Sequence, residues 1–315
     1  MTTQRPEESG DVAVLFPGQG TQRVGMGNWL FHELPEMGEI LDMLSADAGR
    51  DIAKLCARGP MEVLSDTRYT QPAVFAVGIA AFRYLSHAGV AVKAVAGHSV
   101  GEITAICASG ALSTQQAAAL VCERGRLMAS APGEGRMARI TALDRATVQR
   151  CCEASEVAGQ VVIAAQNGPD EHIVSGHADA VAMCCGTARD LGARRAEPLN
   201  TSHAFHSPLM QPAVAGWRKA VTRQAIAAPS IPVVLNATAE VAAEPERLHW
   251  GMLQQLTSPV EWWSSLCVLT RLGVRTAIVC ETGNYLAMLA RTAGLRPASF
   301  ADPRRIRELV PAGAA

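Results

Sequence analysis

Val92-Lys93-Ala94-Val95-Ala96-Gly97-His98-Ser99-Val100-Gly101 is the stretch on which the reading of this chain turns. Residues 92–96 are short and mostly apolar, as in a buried strand. Residues 97–101 fit G-x-S-x-G, and a helical run follows to about residue 107. Glycines on either side permit the sharp turn that lifts a serine hydroxyl off the end of a sheet. The helix behind it offers free N–H groups and a positive dipole end, which suit a developing oxyanion. A glycine-flanked helix cap is the plainer alternative. The strand before and the helix after favour a nucleophile at Ser99.

A serine nucleophile needs a base, most often a histidine. The chain offers His32, His87, His98, His172, His177, His203, His206 and His249. Spacing does not choose among them, because a base is near in space and not in sequence. Upstream, residues 12–16 form another apolar run, closed by Pro17-Gly18-Gln19-Gly20. This predicts a buried strand and a tight loop. Residues 72–88 read as a helix, and Ser113 as the N-cap of an Ala-rich helix through 129. Strand, loop and helix alternate, which predicts an α/β body with a parallel sheet.

The middle of the chain reads differently. Residues 137–141, 161–165, 172–175 and 194–199 are strand-like, and 145–156 and 178–191 are helical. Asn167-Gly168-Pro169-Asp170 supplies a hairpin turn. The order β-α-β-β-α-β predicts a ferredoxin-like subdomain over 135–200, inserted in a large body of 11–134 and 201–300. Further strands are expected at 231–235 and 274–279, and an Arg-rich surface tail from Pro303.

Composition narrows the function. Of 315 residues 49% are hydrophobic and 18% charged, which excludes a disordered chain. A net charge of -1 gives no electrostatic case for nucleic acid or an anionic membrane. The longest apolar run, 73–82, is short of the roughly 20 residues a bilayer span needs. Residues 1–10 lack the apolar core of a signal peptide. Nine cysteines without a C-x-x-C pair argue against a zinc or redox site and fit reduced thiols in the cytoplasm. Only three basic residues are Lys, so with 25 Arg any single one starts as an ordinary surface residue.

Blocks in register decide more than any residue alone. Phe16-Pro17-Gly18-Gln19-Gly20, Gly97-His98-Ser99-Val100-Gly101-Glu102, Glu123-Arg124-Gly125 and His203-Ala204-Phe205-His206-Ser207-Pro208-Leu209-Met210 occur in this order. Thr70-Gln71-Pro72-Ala73, Asn167-Gly168-Pro169 and Val174-Ser175-Gly176 add to them. From about residue 11 to 290 the chain resembles the malonyl-CoA:acyl-carrier-protein transacylases and the acyltransferase domains of polyketide synthases. The resemblance implies an α/β-hydrolase-like body with the inserted ferredoxin-like subdomain. It implies Ser99 as nucleophile and His206 as base, in a dyad whose histidine is oriented by a carbonyl and not a carboxylate. Gln255 falls where the family has a residue near that histidine. The main-chain N–H groups of Gln19 and Val100 would form the oxyanion hole. Arg124 would grip the malonyl carboxylate through a bidentate fork, and Gly125 implies close packing beside it. His-Ala-Phe-His marks malonyl-selective relatives, with Phe205 filling the space an α-methyl would need; an ordinary core role is the alternative for that ring.

The implied partners are a coenzyme A thioester and an acyl carrier protein, with no cofactor and no metal. A polyketide setting, served in trans by a chain with its own Met1 and no attached ketosynthase, is preferred over fatty-acid synthesis. Three alternatives remain: a thioester hydrolase of the same fold, a transacylase for a bulkier extender, and a catalytically idle docking subunit. One departure stands out. Where the family reads Glu-x-Gly-Pro-Gly or Glu-x-Gly-Pro-His, this chain has Glu281-Thr282-Gly283-Asn284-Tyr285-Leu286, without proline.

Overall fold

A computed structural model describes residues 11–131, 135–281 and 283–302, together with 304, 306 and 308. The chain forms ten strands among these residues. They are β1 (Val12–Phe16), β2 (Ala94–Gly97), β3 (Gly135–Thr141), β4 (Val161–Gln166) and β5 (Glu171–His177). The others are β6 (Arg195–Pro198), β7 (Val233–Val234), β8 (Val241–Ala242), β9 (Thr276–Val279) and β10 (Arg296–Ser299).

Six strands make the main sheet in the order β10-β9-β1-β2-β7-β8. All pairs are parallel except β7–β8. β1 and β2 run as unbroken apolar sequence because helices cover both faces of the sheet. Phe16 pairs with Gly97, so the two strands end side by side. Parallel strands of this kind leave their carboxyl ends at one edge, where ligands bind in open α/β sheets. Here those ends deliver four segments to one place. β9 leads to Glu281 and Tyr285, β1 to Gln19, β2 to Ser99, and β7 to Asn236.

The second sheet has the order β4-β5-β3-β6 and is wholly antiparallel. β5 lies between β3 and β4, which gives the split βαβ arrangement of a ferredoxin-like unit. Helices Arg145–Ala154 and Ala178–Asp190 pack on it around a separate core that holds Cys151, Cys152, Cys184 and Cys185. β4 is stitched to the main body. Gln166 N–H donates to Val260 O at 3.0 Å, and Val260 N–H to Ala164 O at 2.9 Å. Arg145 adds two 2.8 Å hydrogen bonds to the Glu261 carboxylate.

Boundaries shift where a local signal overrides the pattern. The long helix spans Thr67–His87 and starts before residue 72, because Asp66 caps it by accepting the Arg68 N–H. Ser113 and Gln116 form a reciprocal capping box at the start of helix Thr114–Ala129. The strand expected at 231–235 shrinks to Val233–Val234. Of the tail, Arg304 and Glu308 are exposed and Ile306 is buried, so it is not purely a surface segment; 303, 305, 307 and 309–315 lie outside the described residues, as do Thr282 and residues 1–10. Among the described residues no helix is long and apolar enough to cross a membrane.

Candidate active site

Ser99 occupies the left-handed region, with φ of 54°, which a non-glycine residue enters only under constraint. The neighbours impose it. A Cβ on Gly97 would lie 1.9 Å from Gly101 O, and one on Gly101 2.4 Å from Phe16 O. Both positions therefore require glycine. Asn236 ties the turn down from the next strand. Its Oδ1 accepts the Ser99 N–H at 2.7 Å, and its Nδ2 donates to Gly97 O at 2.5 Å. No sequence signal singled out Asn236.

Ser99 Oγ lies 2.7 Å from His206 Nε2. His206 sits in an irregular loop, also at positive φ, with Nδ1 3.1 Å from the main-chain oxygen of Ser258. Nδ1 therefore carries the proton, and Nε2 turns a lone pair to the serine hydroxyl. Of the eight histidines only His206 makes this contact. His203 lies apart, stacked on Phe205 and bonded to Ser202 Oγ. Burial first, then the nearby Arg124 charge, hold the His206 pKa down to about 3. The imidazole is neutral at neutral pH, as a base must be.

Gln255 is buried close behind this histidine. Its side chain turns away, donating from Nε2 to Glu102 Oε2 at 2.5 Å. The ring's Nδ1 partner is thus Ser258, three residues beyond Gln255. Glu102 is buried and also accepts the Asn236 N–H at 2.7 Å. Desolvation raises its pKa to about 7, against the lowering effect of those hydrogen bonds. One carboxylate thus braces both Asn236, behind the serine, and Gln255, behind the histidine.

Arg124 is 1% exposed, unlike Arg126 on the same helix, which pairs with Glu123 in solvent. Its guanidinium donates to Ser99 Oγ at 3.2 Å and to Gln71 Oε1 at 2.9 Å, and Nε has no partner among the described residues. Desolvation lowers its pKa to about 10, so it stays charged at neutral pH. Gly125 lets the helix approach Thr67, whose carbonyl would be 2.8 Å from an added Cβ. Close packing at Gly125 is what brings the guanidinium inward.

A cavity of about 650 Å³ joins these groups; Gln19, Ser99, Arg124, Phe205 and His206 all line it. The Gln19 loop is held by Thr21 Oγ1 donating to Gly18 O and by Gln19 Nε2 donating to Thr67 Oγ1. Among the described residues, neither the Gln19 nor the Val100 main-chain N–H bonds to another protein group. Phe205 is 6% exposed and belongs at once to the cavity wall and the core. His98, Asn167 and Tyr285 also line the cavity; the sequence offered His98 only as one of eight possible bases, Asn167 as a turn residue and Tyr285 as part of the departing loop.

A strained serine at the carboxyl edge of a parallel sheet, in contact with a carbonyl-held neutral histidine and a buried arginine, defines a serine-dependent acyl-transfer site. The family model described as "Acyl transferase domain" matches residues 14–267, and the chain belongs to that family. A malonyl CoA-acyl carrier protein transacylase of Bacillus subtilis (strain 168) is 33% identical over 300 residues, covering 94% of this chain and 95% of that one. Polyketide synthase GfsB of Streptomyces halstedii is 41% identical over 261 residues, covering 80% of this chain and 4% of that one. Among solved structures, a malonyl-transacylase in complex with a type II polyketide synthase acyl-carrier protein matches with a TM-score of 0.91 at 30% identity. That match covers 95% of this chain and 99% of the other.

Proposed function

We propose that this protein moves a malonyl group from malonyl-CoA to the phosphopantetheine thiol of an acyl carrier protein, through an ester on Ser99. The observation that carries the reading is Arg124: a buried cation bonded to the Ser99 hydroxyl, where Arg23 and Arg139, the other cations of the cavity wall, make no contact with the serine. A guanidinium left unpaired there is costly, and a substrate carboxylate is its natural partner.

In the first half-reaction His206 Nε2 takes the Ser99 proton as Oγ attacks the thioester carbonyl. The oxyanion is held by the Gln19 and Val100 N–H groups, and the thiolate of coenzyme A leaves with the proton from His206. In the second half the carrier thiol gives its proton to His206 and attacks the ester, and the proton returns to Ser99 Oγ. The Ser258 carbonyl holds the imidazole, and Phe205 narrows the acyl end against an α-methyl. None of these steps calls for a metal or a cofactor. The relatives named above, for malonyl transfer and for polyketide synthesis, support this reading and a place in polyketide assembly. Eight of nine cysteines are buried free thiols, which suits the cytoplasm.

The rival reading, a hydrolase that clears acyl groups from carriers, has no use for Arg124. A single-turnover chase separates them. Malonyl-enzyme formed from malonyl-CoA should pass its label to holo-carrier protein and lose little to water. Release of free malonate at the same rate with and without carrier would establish the hydrolase instead.

A further inference from the structure

The departure at residues 281–286 brings a tyrosine into the site. Tyr285 begins helix Tyr285–Thr292. Its hydroxyl donates to Glu171 Oε1 at 2.6 Å and accepts from Asn167 Nδ2 at 2.8 Å. Asn167 Oδ1 in turn lies 3.0 Å from His98 Nε2. The donors run in one direction only. A carboxylate accepts, so the single phenolic hydrogen goes to Glu171, and toward Asn167 the tyrosine oxygen can only accept. That orients the Asn167 amide with its oxygen toward His98. His98 Nε2 must then carry a hydrogen. Burial holds the His98 pKa below its ordinary value, so the ring is neutral and Nδ1 is an acceptor. The row of hydrogen bonds crosses between the two sheets three times: His98 and Tyr285 come from the main body, Asn167 and Glu171 from the β4–β5 hairpin.

We propose that Tyr285 is a positioning residue of the acyl-transfer site: it locks the Asn167 amide, and through it the orientation and tautomer of the His98 ring beside Ser99. The inference deepens the reading of Ser99 as the acylated residue and rests on it. Polar chains of this kind, here half-buried, are worth most when every member is satisfied, and removing one hydroxyl frees the whole row.

The test is a double-mutant cycle on the rate of acyl-enzyme formation, with Tyr285→Phe, Asn167→Ala and both together. Each single variant should slow acylation at saturating malonyl-CoA by about 5- to 20-fold, the worth of one buried hydrogen bond, with KM changed by less than about 3-fold. Because Tyr285 acts through Asn167, the double variant should be no slower than Asn167→Ala alone. A second readout needs no substrate. In protein labelled with ¹⁵N-histidine, the native His98 ring should show the Nε2–H form alone, and Tyr285→Phe should show a mixture. If native enzyme fails to acylate while the tautomer shifts as described, the acyl-transfer reading fails and the clasp stands. Multiplying losses in the double variant, or an unchanged His98 signature in Tyr285→Phe, overturns the clasp.

Discussion

Arg124 shows how much a single residue's setting decides. Its charge sits almost without solvent, and its bonds go to a hydroxyl and an amide, neither of which neutralises it. Binding an acyl group that ends in a carboxylate relieves this, and binding acetyl does not. Replacing Arg124 with Ala should therefore collapse the ratio of malonyl to acetyl transfer by about 30- to 1000-fold. Lys should restore only part of it, lacking the fork. Both rates measured on the three proteins check this, and an unmoved ratio in Arg124→Ala contradicts it. The same charge acts on the base. His206 works as the neutral imidazole, and its folded pKa lies far below 6.5. Acylation should accordingly show no loss from protonation of the base as pH falls from about 8 to 5; a loss centred near 7 belongs to Glu102 and should vanish in Glu102→Gln. In Arg124→Ala a cation that disfavours protonation is gone, so the acid limb should move upward. His206→Ala should lower acylation by about 10²- to 10⁴-fold, with a much smaller loss in His203→Ala.

Among the elements, the turn after β2 is the one that cannot be rebuilt from other residues. Gly97→Ala would drive a Cβ into the Gly101 carbonyl, and the strain falls on the residue that must present Oγ. The variant should lose at least about 2 kcal/mol of stability or lose acylation outright. A melting curve alongside a malonyl-labelling rate reads both, and a native-like result in each contradicts the account of the turn. Asn236→Ala leaves the Ser99 N–H and the Gly97 carbonyl without a partner and should cost about 2–4 kcal/mol. These elements also show what the sequence made legible. β1, β2 and the turn between β2 and its helix were readable because apolar runs and paired glycines lie next to each other in sequence. The β3–β6 unit was readable from alternation and a strong turn. Helices Met37–Ala48, Gln211–Thr222 and Trp262–Arg271 were not assigned. Their apolar faces are interleaved with small and polar residues and lack strong caps. Asn236, Glu102 and Ser258 act through contacts across more than a hundred residues or through the main chain, so no local pattern marks them.

For the molecule as a whole, the cavity exists because two sheets meet. The segments at the carboxyl ends of β9, β1 and β2 form its floor, while β4 and β5 of the second sheet close one side. Hydrogen bonds make the join. Main-chain hydrogen bonds link Gln166 and Ala164 to Val260, and Arg145 holds Glu261 two residues from the Pro259 turn that follows Ser258. This arrangement places the carbonyl that holds His206 under the control of the joint between sheets. The measurement that bears most directly on the whole account is the mass of the intact protein after mixing with malonyl-CoA. The native chain should gain one malonyl group, mapped to the peptide that contains Ser99, and Ser99→Ala should gain none. A malonyl adduct that persists in Ser99→Ala, or a native protein that takes up no acyl group at all, would contradict it.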